Sequence, residues 1–253
     1  MKKYKLTEET IIVNGRTLYR IEALRNFGDV KKGNKGGFVE KENNLSQYGD
    51  SWVNDDAKVF GNAQVCGNAR IYGNAIVRGN AQVYGHAIVR GNAEVYGNAE
   101  IYGDAQVYDE AKVYDYAEVY DNAGVYHNAQ VYGNAKVFEN AEVSFDAKVY
   151  DDAKVYEYGM VQGNAKVYGN AEIRTNACIY GDAVIDSIGD YIVFKNFWSS
   201  GRSFTWTRSN DMWKIGCFYG TGEELIKKAY KESEISGREY ERIVKYVETI
   251  KKK

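Results

Sequence analysis

The sequence predicts a mainly β protein: a central parallel β-helix between an N-terminal β cap and a small C-terminal α+β domain. Three observations predict this class: a six-residue repeat over residues 51–186, no proline among 253 residues, and only five leucines. Proline removes a donor from a β ladder, so its absence is typical of a backbone whose N–H groups are paired. Five leucines are too few for a helix bundle. No apolar run reaches the roughly 18 residues of a membrane span, so we expect no membrane partner.

Residues 1–50 are predicted to form a β-hairpin cap. Two apolar runs, residues 11–13 and 17–21, flank Asn14-Gly15, a pair that strongly favours a two-residue hairpin turn. A parallel β-helix leaves unpaired strand edges at both ends and would polymerise if they were not covered. The glycine-rich stretch that follows, residues 28–37, lacks the spacing of a phosphate-binding loop.

The repeat predicts the shape of the central shaft, residues 51–186. From Ala57 to Ala183 a small residue recurs every six positions, 22 times, as 21 alanines and Gly159. Valine or isoleucine always follows two residues later, so both side chains point to one face of a short strand. Gly-Asn then turns the chain. Three such sides close a triangular coil, which gives about seven coils and a length of roughly 35 Å.

The outward positions of the shaft form columns when every eighteenth residue is taken. Two columns are aromatic: Tyr84, Tyr102, Tyr120, Phe138 and Tyr156 in the first, and Tyr96, Tyr114, Tyr132, Tyr150 and Tyr168 in the second. Stacked rings can stabilise flat sheets, and contiguous aromatic columns can also mark a contact surface. Both interpretations stay open. The third side is less aromatic, and we expect the C-terminal domain or another subunit to cover it near Met160, Gln162 and Cys178.

Residues 187–253 are predicted to form a three-strand, two-helix domain. The strands are expected at residues 191–197, 203–208 and 212–219. Capping-box sequences that begin at Thr221 and Ser236 are expected to open the helices.

Interleaved aromatic and basic residues in this domain could hold an anion or a nucleotide, with Trp198, Arg202 and Arg208 as the candidate contacts. Trp206 shares a strand face with apolar residues, and a core position is favoured for it.

The sequence offers little catalytic chemistry. No hexad of the shaft is interrupted, and His86 and His127 occupy corner positions that should face solvent. Three cysteines, an odd number without metal-ligand spacing, favour a reducing compartment. No catalytic residue, metal site or cofactor is predicted. The shaft carries ten basic and nineteen acidic groups, whereas both ends are mildly basic.

The spacing of an aliphatic residue and a small residue four positions later, as in Val59/Ala63, resembles the hexapeptide-repeat proteins of the left-handed parallel β-helix class. That resemblance implies the left hand. The opening segment, at residues 27–33, 36–39, 44–47 and 50–53, resembles YdcK-type proteins, which are named as transferases, and their phage- and prophage-encoded relatives.

From these features we expect a non-enzymatic binding or scaffold protein in the cytoplasm of a bacterial host. Its partner would be a host protein or another copy of itself, and trimers are common in this fold. One alternative is an acyltransferase that binds acyl-CoA at clefts between subunits. A second is a binder of nucleotides or single-stranded nucleic acid through the C-terminal domain.

Overall fold

The computed structural model describes residues 2–251. It is mainly β and contains a parallel β-solenoid of about eight turns, followed by a small domain with an antiparallel sheet and two helices. The predicted fold class is therefore confirmed. Within residues 2–251, no helix has the length and apolar character needed to cross a membrane.

Each hexad forms a two-residue strand and a corner. The strands recur every six residues from Trp52–Val53 to Val184–Ile185 and assemble into three parallel sheets. Equivalent residues pair across turns 18 positions apart, as in Val95 with Val113 and Val113 with Val131. The repeated alanines and valines are fully buried in one continuous column, which places them inside the solenoid as predicted.

The solenoid begins one turn earlier than the repeat indicates, which explains eight turns rather than about seven. Val39, in the strand Lys35–Val39, pairs in parallel with Val59, and Leu45 forms an isolated bridge with Val65. In this first turn Leu45 and the next buried valine, Val53, are eight residues apart instead of six. A strict six-residue spacing therefore cannot detect it.

The corners need one residue in the left-handed region of backbone space. Glycine supplies it at many corners, for example Gly97 with φ of +72°, and Asp, Glu or His supplies it at others. Where a carboxylate replaces glycine, it accepts the N–H of the equivalent residue in the next turn. Glu157 accepts from the Thr175 N–H at 2.8 Å, and Asp151 from the Gly169 N–H at 3.3 Å. These acidic side chains therefore tie neighbouring turns together.

The N-terminal hairpin consists of strands Tyr4–Val13 and Arg16–Ala23, and its turn is at Asn14-Gly15 as predicted. It continues one sheet of the solenoid, and the 3-10 helix Glu42–Asn44 follows within the first turn. Two side chains from this segment satisfy edge carbonyls. The Lys3 Nζ donates to the Ser51 carbonyl at 2.8 Å, and the Tyr4 hydroxyl donates to the Leu45 carbonyl at 2.8 Å. The hairpin therefore covers this end of the apolar column.

The C-terminal sheet has four strands rather than the predicted three, and it follows the 3-10 helix Ile188–Asp190. The strands are Tyr191–Lys195, Ser203–Thr207, Met212–Ile215 and Phe218–Gly220. The extra strand arises because Gly216 adopts φ of +50° and lets Ile215 pair with Phe218. What reads as one strand, residues 212–219, is therefore a tight hairpin.

The helices are Gly222–Glu232 and Glu234–Lys251. The predicted capping box at Thr221 is confirmed, because its hydroxyl accepts the Glu224 N–H. The one predicted at Ser236 is wrong, since Ser236 lies inside the second helix. Ser233 caps that helix instead, and its hydroxyl accepts the Ser236 N–H at 3.1 Å. One serine thus both ends the first helix and starts the second.

The C-terminal sheet uses its two faces differently. One face, with Phe204, Trp206 and Trp213, packs against the helices in a second apolar core, which confirms a core role for Trp206. The other face meets the last turns of the solenoid. There the Cys178 N–H, which has no further turn to pair with, donates to Thr205 Oγ1 at 2.9 Å. The Val184 N–H likewise donates to Ser209 Oγ at 2.7 Å, so this sheet caps the strand edge at the C-terminal end of the solenoid.

Candidate functional site

Both predicted aromatic columns are continuous stacks in the structure. We name them the first ladder and the second ladder; their members are Tyr84, Tyr102, Tyr120, Phe138 and Tyr156, and Tyr96, Tyr114, Tyr132, Tyr150 and Tyr168 respectively. Successive ring centroids lie 4.8–5.1 Å apart with planes inclined by 2–10°. The rings thus cover each other's faces and are half-buried, with part of each ring open to solvent. Both ladders therefore stabilise the shaft.

Hydrogen bonds from the phenol groups reinforce the first ladder. The Tyr84 hydroxyl donates to Glu100 at 3.0 Å, and the Tyr102 hydroxyl donates to Glu118 at 2.9 Å. Burial, followed by the bond to Glu100, raises the pKa of Tyr84 to about 12. Burial and the adjacent tyrosines raise the pKa of Tyr114 in the second ladder to about 12 as well. The ladders are consequently built for neutral phenol groups.

Alkaline pH is expected to unfold the shaft through these tyrosines. Because their pKa is higher in the folded protein than the ordinary value near 10, the stabilisation is complete below pH 10. It is lost as pH rises from about 10 through 12, where the unfolded chain releases its phenol protons first. The denaturant midpoint, measured from pH 10 to 12 together with phenolate absorbance, should fall steadily.

A variant in which the four tyrosines of the first ladder are changed to Phe is the control. Its midpoint should fall less steeply with pH than that of the original chain. Burial lowers the pKa of Lys3 to about 8, so Lys3 makes stability rise with pH, which is opposite to the effect of the tyrosines. Both proteins contain Lys3, so its effect does not change the difference between their slopes. Equal slopes would contradict a role for the ladder phenols.

The third side of the shaft loses its ladder where the C-terminal sheet begins. Tyr108 and Tyr126 stack at 4.9 Å, but the next positions in the column are Ser144 and Gln162. In the neighbouring column of the same side, Cys178 follows Met160 and is buried against the C-terminal sheet, as predicted for this side. Burial raises the pKa of the Cys178 thiol to about 11, so this cysteine is a neutral packing group at physiological pH.

A cleft of about 730 Å³ opens between this side and the C-terminal sheet. Met160 and Gln162 of the shaft line one wall. The other wall carries three basic side chains, Lys195, Arg202 and Lys214. Among residues 2–251, no acidic residue lines the cleft. It is thus a positively charged recess on a shaft that is otherwise acidic.

The structure separates the three residues predicted to contact an anion. Arg202 lines the cleft. Arg208 lies outside it, and its Nε donates to the Gly189 carbonyl at 3.4 Å. Trp198 lies on the helix side of the sheet and packs edge-on against Tyr240 at 4.9 Å.

Of the other two basic residues of the cleft, Lys214 belongs to the aromatic and basic cluster that the sequence indicates, whereas Lys195 was not predicted as a contact. Val193, Thr205 and Lys214 stand in one row across the sheet, and Lys195 pairs with Ser203 in the next row of that face. Alternation along the predicted strands could have placed both lysines on the face opposite the tryptophans.

Both histidines lie at exposed corners of the shaft, as predicted. His86 is exposed at a corner, where its Nε2 lies 3.4 Å from the amide of Asn68. His127 is exposed as well and stacks on Phe145, with ring centroids 4.6 Å apart. In the part of the chain that the structure describes, no three His, Cys, Asp or Glu side chains cluster as metal ligands.

The comparison with protein families agrees with the solenoid. The family model of the YdcK Beta solenoid repeat matches residues 63–79, which lie in an early turn of the shaft. The matched segment is similar to the YdcK-type repeat, which supports the predicted resemblance. The solenoid of this chain continues with the same register to Ile185, well beyond the matched segment. No curated protein matches the chain.

Proposed function

We propose that this protein is a non-enzymatic binding or scaffold protein whose rigid YdcK-type shaft presents its aromatic ladders to another macromolecule. The observation that supports the proposal is the order of the ladder rings, which stack at 4.8–5.1 Å along the shaft. A surface whose side chains are already fixed loses little conformational entropy on association. Tyrosine is also enriched in protein interfaces, because its large ring carries a polar end.

The two ladders lie on neighbouring sides of the shaft. The corner between those sides carries Tyr116, whose side chain is 64% exposed. An exposed ring at the corner between two half-buried ladders makes this edge an aromatic surface that a partner can reach. The resemblance to phage- and prophage-encoded proteins suggests a bacterial host protein as the partner, met in the host cytoplasm, with self-association as the other outcome.

Replacing Tyr116 by Ser tests this surface. We expect roughly tenfold weaker association, because a central interface tyrosine typically contributes more than 1 kcal/mol. The immobilised protein would be used to isolate a stoichiometric partner from a bacterial lysate, and native mass measurement of the free protein would detect self-association. Affinity for the isolated partner, or the self-association constant, is then measured for the original protein and for the Tyr116→Ser variant.

Tyr48→Ser is the matched control, since Tyr48 is 84% exposed but lies in the N-terminal region, outside both ladders. It should leave the affinity unchanged. Equal loss in both variants would contradict the ladder surface. Saturable, stoichiometric heat on titration with acetyl-CoA that is retained in Arg202→Gln, and so does not come from the basic cleft, would instead favour the acyltransferase alternative.

A further inference from the structure

We propose that the cleft between the last solenoid turns and the C-terminal sheet binds a small phosphate ester with an apolar or planar body. This inference does not depend on the ladders and holds whether or not they have a partner. It would give the protein a ligand site in addition to its interaction surface.

The charge of the cleft points to an anion. Lys195, Arg202 and Lys214 line it without an acidic neighbour in the lining. Within residues 2–251, none of these three cations forms an ion pair. The basic residues of the C-terminal domain that do form ion pairs are Lys228, Arg238, Arg242, Lys245 and Lys251. Glu142, which pairs with Met160 in the shaft, accepts the Tyr126 hydroxyl at 2.6 Å. Among the described residues the lining therefore carries three positive charges and no negative one, with the Glu142 carboxylate one strand away from Met160.

The number of cations favours a phosphate ester over a single carboxylate. A phosphate monoester carries about −1.5 to −2 charges at neutral pH and three acceptor oxygens. Arg202 can donate two parallel hydrogen bonds to such a group, and lysine ammonium groups add point charges. Lys214 is already held in place, because its Nζ donates to the Gly216 carbonyl at 2.7 Å and lies 4.3 Å from the centroid of the Tyr180 ring.

The rest of the cleft suits an apolar or planar group attached to the phosphate. The Met160 and Val193 side chains supply apolar lining, and the volume of about 730 Å³ lies within the usual range for small-molecule sites. Polar side chains are also available, including Gln162 and Ser203. A charged end and an apolar body are thus both accommodated.

Calorimetric titration of the full chain tests the site with three probes: adenosine monophosphate, adenosine and inorganic phosphate. We expect saturable one-to-one binding of adenosine monophosphate that weakens with added salt, and at least tenfold weaker binding of the other two. Arg202→Gln and Lys214→Met should each weaken adenosine monophosphate binding at least tenfold. Thermal unfolding of each variant checks that it is folded.

Arg208→Gln is the matched control, because it removes the same charge from the same domain outside the cleft. It should leave the affinity unchanged. As a second readout, the methyl NMR signal of Met160 should shift on binding, whereas that of Met212, outside the cleft, should not. Three results would overturn the proposal: no saturable binding of adenosine monophosphate, an equal loss of affinity in the Arg208 variant, or binding of a single-stranded oligonucleotide by a protein that does not bind adenosine monophosphate.

Discussion

Replacing Val113 by Asp is expected to abolish cooperative folding of the shaft. Val113 is fully buried in the middle of the apolar column and lies between Val95 and Val131 of the adjacent turns. Its neighbours inside the column are alanines and valines, which offer no partner to a carboxylate. An unpaired buried charge costs several kcal/mol, and a loss above about 4 kcal/mol is comparable with the whole stability of many domains.

Lys112→Asp provides the control one residue away. The Lys112 side chain points outward, is half-buried, and has an ion pair with Glu94 at 3.4 Å. Loss of this surface pair, together with the like charge then placed opposite Glu94, should cost about 1–2 kcal/mol. Denaturant unfolding followed by circular dichroism separates the two cases. Similar losses in both variants would mean that Val113 does not face a sealed interior.

The shaft could be predicted from the sequence because its interior repeats without error. Alanine and valine alternate with outward residues at a fixed spacing, so one hexad defines the geometry of all the others. The ladders follow for the same reason, since any outward residue meets its equivalents 18 positions away. The first turn escaped prediction because its buried residues, Leu45 and Val53, do not keep that spacing.

The ends were harder to predict because their contacts join segments that are distant in sequence and carry no repeat. Thr205 accepts an N–H from Cys178, and Lys3 donates to Ser51, yet no local pattern connects these pairs. The cleft likewise forms only because the C-terminal sheet packs against the last turns of the solenoid. Arg202 was a candidate because aromatic and basic residues surround it in sequence, but its position beside Met160 depends on how the sheet meets the shaft.

The glycine at position 159 is expected to stabilise the shaft more than alanine would, even though alanine occupies the other 21 equivalent positions. A Cβ atom built at Gly159 would lie 2.6 Å from the Ile173 carbonyl oxygen, which belongs to the next turn. The turn before it is also tight, since the Gly159 N–H reaches the Tyr156 carbonyl at 2.9 Å. The Ala177 N–H reaches the Arg174 carbonyl at 3.0 Å one turn later, so the close Ile173 carbonyl is what distinguishes position 159.

Gly159→Ala should therefore destabilise the protein by about 1–3 kcal/mol, the usual cost of overpacking against an atom that cannot move freely. Gly124→Ala is the matched control. Its Cβ would point outward and contact only the Tyr126 ring at 3.5 Å, an ordinary van der Waals distance. That substitution should stabilise the protein by about 0.4–1 kcal/mol, because alanine restricts the unfolded chain. We expect denaturant unfolding to show a lower free energy of unfolding for Gly159→Ala and a higher one for Gly124→Ala. Stabilisation by both substitutions would show that the Ile173 carbonyl can shift to admit a methyl group.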